Sequence, residues 1–203
     1  ARGHGGASPL SLLRRYPTLA FMTLGALGAP AAWWAYVVFW PGYMLERFGM
    51  PVEVSGPLFA LTSLGMTPGA LLVGWLCERW PGLRGPALIA CALVLTGASW
   101  GMLTTDSVPA LLALTSGVGL AWGFIAVIGG VAFQLPGIQA RETAVASSII
   151  WTCTGIGELL GPVTVGLLAN VTGDVAPALG SVASLSCGLI AGGLAMRRLP
   201  ALA

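Results

Sequence analysis

Charged residues stand in short clusters along this chain, and six long blocks between them are almost free of charge. Residues 16–45, 54–77, 85–105, 107–140 and 175–196 contain no charged side chain, and 143–173 contains only Glu158. A helix of about 20 apolar residues crosses the hydrocarbon core of a bilayer, so every block is long enough. Leu, Ala, Val, Gly and Trp fill the blocks without the strict alternation of a membrane β-barrel strand. Helices satisfy all their backbone groups internally, as lipid demands. The pattern predicts an all-α membrane protein of six transmembrane helices, near 18–42, 55–77, 86–104, 109–133, 143–170 and 175–196.

These spans fill a transmembrane domain over 16–198. Ahead of it, Ala1-Arg2-Gly3-His4-Gly5-Gly6 opens a polar, glycine-rich stretch, so 1–15 reads as a linker tail and 199–203 as a short C-terminal tail. That opening, without an initiator Met or a signal peptide, fits a fragment of a longer chain or an internal domain. Arginine orients the spans. One side of the membrane receives Arg2, Arg14, Arg15, Arg79, Arg84, Arg141, Arg197 and Arg198, and the other only Arg47. Basic loops stay on the cytoplasmic side, so both termini are expected in the cytoplasm of a multi-pass cell-membrane protein.

Composition agrees. The chain is 56% hydrophobic and 8% charged, too few charges to cover a water-facing globule. A net charge of +2, with no lysine, gives no reason to expect a nucleic-acid partner. Cys77, Cys91, Cys153 and Cys187 lie far apart in apolar surroundings and read as packing residues, neither a disulfide framework nor a metal site. Pro30, Pro68 and Pro162 fall inside spans. Gly65/Gly69, Gly97/Gly101, Gly119/Gly123, Gly157/Gly161 and Gly188/Gly192 have the spacing that lets membrane helices approach closely.

Few residues bear chemistry at depth. Glu158 stands mid-span, where an ionised carboxylate costs about 2.5–3.5 kcal/mol on insertion scales. Its helical face holds Ser147, Trp151, Thr154, Gly155 and Pro162, small or polar enough to face an interior. It is a candidate for solute binding or proton coupling, or a protonated Glu bonded to a neighbouring helix. Trp33, Tyr36 and Trp40 share a face of the first span, with Trp34 beside them. Trp33 and Tyr36, with Trp122 and Trp151, are candidates for a solute-enclosing wall; Trp40 and Tyr43 suit an interfacial belt.

The segment Gly74…Glu78-Arg79…Gly82…Arg84 resembles the cytoplasmic loop motif of the major facilitator superfamily in its second-half form. Glu stands where Asp is usual, and Pro81 adds a residue before Gly82. The stretch 161–173, with Gly161-Pro162, Gly166, Asn170 and Gly173, resembles the family's penultimate helix, and Phe133-Gln134-Leu135-Pro136 is similar to the cyanate-permease-like branch. The resemblance runs from about Leu10 and matches the last six of twelve helices. It implies half of a major facilitator fold, built of two inverted three-helix repeats. An echo between the second and fifth spans, Gly then a polar residue four places on then Gly, agrees. It also implies a cavity lined by the first, second, fourth and fifth spans. Glu78, Arg79 and Arg84 would form a conformational latch.

The function so implied is a secondary active transporter moving a small-molecule solute by alternating access, coupled to protons, with an N-terminal six-helix half supplied upstream or by a second copy. A homodimerising half-transporter and a non-transporting membrane scaffold are the alternatives. No enzyme is expected: the only histidine is His4, in the tail, and no intramembrane Asp pair exists. Nor is any nucleotide-binding loop, cofactor site or channel filter visible. The spans offer no Arg or Lys to an anionic solute, whose counter-charge would come from the other half or a helix N-terminus.

Overall fold

The computed structural model describes residues 8–197, and every regular element among them is helical. The helices are α1 (Pro9–Arg15), α2 (Pro17–Phe48), α3 (Val52–Arg79), α4 (Arg84–Thr104), α5 (Val108–Ala121), α6 (Phe124–Val131), α7 (Ala140–Thr172), α8 (Val175–Ala183) and α9 (Gly188–Met196). Six stretches are long and apolar enough to cross a membrane: α2, α3, Pro81–Thr104, Val108–Val131, α7 and Val175–Met196. The six-helix expectation holds. Arg2, His4, Arg198 and the tail 199–203 lie outside the described residues.

Several elements differ in detail from the sequence expectation. Part of the supposed linker is a capped helix: Ser8 accepts the Ser11 N–H, and Leu12 is buried. The first span runs six residues past its expected end, because its charges do not stop it. Arg47 donates to the Tyr43 hydroxyl and the Leu103 carbonyl and pairs with Asp106 at 3.0 Å. What ends the helix is Gly49, at φ 62, in the left-handed conformation glycine tolerates. The fourth span breaks at Trp122–Gly123, and the sixth passes through a 3₁₀ turn at Ser184–Cys187. At the break no side chain fits on Gly123: a Cβ there would strike the Val73 side chain and the Gly69 carbonyl. Helices run on through Pro30, Pro68 and Pro162.

Glycine seams decide which helices meet. On α7, a Cβ at Gly157 or Gly161 would overlap the carbonyl of Leu27 or Ala31 on α2. Gly65 and Gly69 of α3 meet Gly119, Leu120 and Gly123 in the same backbone-to-backbone manner. Gly188 lies against Leu24, and Gly85 and Gly193 face one another's carbonyls across the third and sixth spans. Gly97, by contrast, faces open space, so its pairing with Gly101 is not a seam.

The resulting pairing is symmetric. The first span packs mainly on the fifth and sixth, and the fourth mainly on the second and third. The third and sixth pack on each other. Exchanging spans one, two and three with four, five and six leaves this scheme unchanged, as two inverted three-helix repeats require. The second and fifth spans are the edges: 17% and 22% of their apolar stretches are buried, against 44–56% for the rest.

Gly161→Leu is expected to force α2 and α7 apart and to cost about 1–3 kcal/mol, the usual penalty of overpacking. Thermal unfolding in detergent measures it. Gly155→Leu, on the same helix but facing open space, is expected to leave Tm unchanged, and equal losses in the two would refute the seam.

Candidate functional site

Three spans bring aromatic rings together. Trp33 of α2 stacks on Phe59 of α3 at 5.0 Å between centroids and 16° between planes, and meets Trp122 edge-on at 5.6 Å. Trp40 joins through Phe59 at 5.9 Å. Beside them lies a cavity of about 20 Å³, lined in part by Tyr36, Ser99 and Ser186, large enough for one water. Two sequence-named tryptophans, Trp33 and Trp122, thus meet, both half-buried. Phe59 was missed, since a lone Phe in an apolar span carries no signal.

Tyr36 has another role. It is 3% exposed, and its hydroxyl donates to the Ser99 carbonyl of α4 at 2.8 Å. Tyr43 does the same to Leu103 at 2.9 Å. These tyrosines fasten the first span to the third, and the opening Tyr36 meets is the small cavity beside Trp33 and Trp122. Trp34 has an open face, at 39% exposed.

The fifth span sorts its residues cleanly. Ala146, Ile150, Thr154, Gly157, Gly161 and Val165 form the buried seam against α2. Thr154 is therefore placed differently from the sequence reading: it is buried, and its hydroxyl donates to the Ile150 carbonyl of its own helix. Ile156, Leu160, Val163 and Leu167 make an exposed apolar stripe. Glu158 stands beside the seam, on the side of the helix away from that stripe, half-buried, with no hydrogen bond or ion pair among the described residues. Trp151, half exposed, lies beside Gly129 of α6, which aims the Trp151–Glu158 side of α7 toward the fourth span. Helical register puts Trp34 on the matching side of α2, just off the Leu27–Ala31 contact line. Glu158, Trp34, Trp33, Trp122 and Trp151 therefore border the side of the bundle away from the third and sixth spans.

At the arginine-rich end, Gly74, Glu78 and Arg84 line one open pocket of about 230 Å³ with Cys77, Ala126, Val127 and Gln134. Arg79 and Gly82 are exposed and take no part in it. The Gln134 side-chain oxygen is buried there without a partner. Two long-range ion pairs were invisible to local reading: Arg47–Asp106, and Arg15–Glu142 at 3.0 Å, which ties α1 to the start of α7. Among the described residues no three His, Cys, Asp or Glu side chains gather as metal ligands.

Six apolar helices paired as inverted triplets, with aromatics and a lone carboxylate at depth, define a multi-pass membrane protein of the carrier type. The sequence model of the Major Facilitator Superfamily matches residues 2–162, and the chain belongs to that superfamily of transporters. No match was found among curated proteins or among solved structures.

Tyr36→Phe is expected to lower stability by about 0.5–1.5 kcal/mol, the worth of one hydrogen bond, and to leave solute affinity unchanged. Trp33→Ala is expected to weaken solute binding several-fold. Thermal unfolding and solute titration separate the two effects, and a Tyr36→Phe variant with weakened affinity would return Tyr36 to the site.

Proposed function

We propose that this chain is one six-helix half of a secondary transporter that moves a small solute by alternating access, with Glu158 as the coupling group. One observation carries the proposal: a mid-span carboxylate on the open side of the bundle, without a partner among the described residues. An ionised carboxylate at that depth is costly. Taking up a proton, or a cationic group of the solute, removes the charge. The conformation in which that uptake occurs is stabilised, and this linkage couples the proton to movement.

Trp33, Trp122 and Trp151, with Trp34, supply flat apolar walls and indole donors for enclosing a solute. The under-covered second and fifth spans favour a second half over a bare lipid boundary. That half is the upstream part of a longer chain, or a second copy. At the arginine-rich end, taken as cytoplasmic, Glu78 and Arg84 act as a latch that engages in one conformation and parts in the other.

In proteoliposomes holding a pH-sensitive dye, addition of a transported solute is expected to drive proton flux. Glu158→Gln is expected to cut that flux at least tenfold while solute exchange without a gradient continues. Proton flux equal to that of the unaltered carrier would remove Glu158 from coupling.

A further inference from the structure

The open side of the bundle holds charge of one sign. Gly157 and Gly161 of α7 meet the Leu27 and Ala31 carbonyls of α2, so the two helices run parallel and Glu158 lies level with the residue after Leu27. At about 1.5 Å per residue, Trp33 stands about 8 Å further along the axis and Trp151 about 10 Å back along it. Trp151 shares the Glu158 side of α7 and lies against Gly129 of the fourth span. Trp33 meets Trp122 of that same span. The carboxylate thus stands between indoles above and below it.

No protein cation is near. Of the helices packed on α7, α6 and α8 carry no charged side chain. The charges of α2 are Glu46 and Arg47, and Arg47 is about 30 Å along the axis from Leu27 and bound to Asp106. Arg15 of α1 is bound to Glu142, about 24 Å along α7 from Glu158, and Arg14 and Arg141 stand at that same end. The other titratable groups are Tyr36 and Tyr43, whose hydroxyls go to α4, and Cys153 on α7 itself. Guanidinium groups lie over Tyr16, Tyr43 and Phe48 at the helix ends, and over no tryptophan among the described residues.

A lone carboxylate flanked by indoles suits one class of solute. Trp attracts a cation over its face more strongly than Tyr or Phe does, and a nearby cation favours the ionised carboxylate. An anionic solute would meet a like charge there with nothing to offset it. We propose that the solute is a monovalent organic cation with an aromatic or apolar group, and that its cationic centre displaces the proton from Glu158, so that solute and proton cross in opposite directions, one for one. The proposal rests on Glu158 being the coupling group. As the cation docks, the carboxyl O–H bond breaks and the proton passes to water on the side the solute came from. On the other side a proton from water re-forms that bond and the cation leaves. The site is neutral in both loaded states.

Equilibrium dialysis of the purified protein tests this with benzyltrimethylammonium, phenylacetamide and phenylacetate. The cation is expected to bind at least tenfold more tightly than the amide, and phenylacetate more weakly than either. Raising the pH from about 5 to about 8 removes the competing proton and is expected to tighten cation binding at least fivefold, leaving the amide unchanged. Glu158→Gln is expected to bring cation and amide within about threefold of each other and to abolish the pH dependence. Should that variant not fold, the three probes on the unaltered protein decide. Cation binding that is absent, no tighter than that of the amide, or independent of pH would overturn the proposal. Glu158-dependent proton flux driven in proteoliposomes by phenylacetate or phenylacetamide would overturn it too, while leaving the coupling role intact. Full cation preference and pH dependence in Glu158→Gln would remove Glu158 from both roles.

Discussion

The bundle depends on backbone-to-backbone contact at glycines. Lipid tails are as apolar as Leu or Val, so burying such side chains between helices gives no hydrophobic gain over leaving them in the membrane. Association has to come from close packing, and close packing needs helices without side chains between them. Gly157 and Gly161 provide that against the Leu27 and Ala31 carbonyls, and Gly65, Gly69, Gly119 and Gly123 provide it on the other triplet. These two seams are counterparts under the exchange of triplets. The symmetry of the fold is thus the repetition of one packing device, and the polar contacts are secondary to it.

The same device explains the position of the candidate site. A seam of Gly157, Gly161 and Val165 turned into α2 leaves Glu158 one residue off the contact line, too close to be lost in lipid and too far round to be buried. On α2 the matching displacement falls on Trp34. The carboxylate and the indole are therefore set by where the glycines are. The tyrosines serve a different end, since Tyr36 and Tyr43 reach backbone carbonyls of α4 and hold the first span in register with the third.

Element count and type were legible in the sequence because the charge-free blocks are long, and no soluble or β-barrel alternative fits them. Helix ends were less so. Glu46 and Arg47 looked like a boundary, yet Arg47 is neutralised by Asp106, distant in sequence, and the helix passes beneath it. The need for glycine at position 123 was hidden for a similar reason: it reflects the approach of Gly69 and Val73 from another span, which no local pattern records. Within the site, Glu158 stood out because one charge in a long apolar run is visible. Trp33 and Trp122 were named, but their meeting through Phe59 depends on three spans converging. Tyr36 and Thr154 turn their hydroxyls to backbone carbonyls, a detail hidden because helical period tells which residues share a face, and not whether that face looks into a cavity or into a neighbour.

Rigidity follows from how the first span is held. At one end Arg15 of α1 pairs with Glu142, and the Tyr16 hydroxyl donates to the Pro136 carbonyl at 3.3 Å. At the other, Arg47 binds Asp106, Tyr43 and Leu103. Exposed ion pairs contribute little singly, about 0–1 kcal/mol, so these ties cannot hold the bundle together. They can fix the register of a helix already seated by its glycines, and they do so at both ends of the one span that touches the fifth, the sixth and, through its tyrosines, the third. A bundle pinned in that way has little freedom to shear internally. On the proposed alternating-access reading, the movement is that of the whole six-helix body against whatever covers its open side. Glu158 and the tryptophans would then travel as one surface, and their accessibility would change through the opposing surface rather than through rearrangement among themselves.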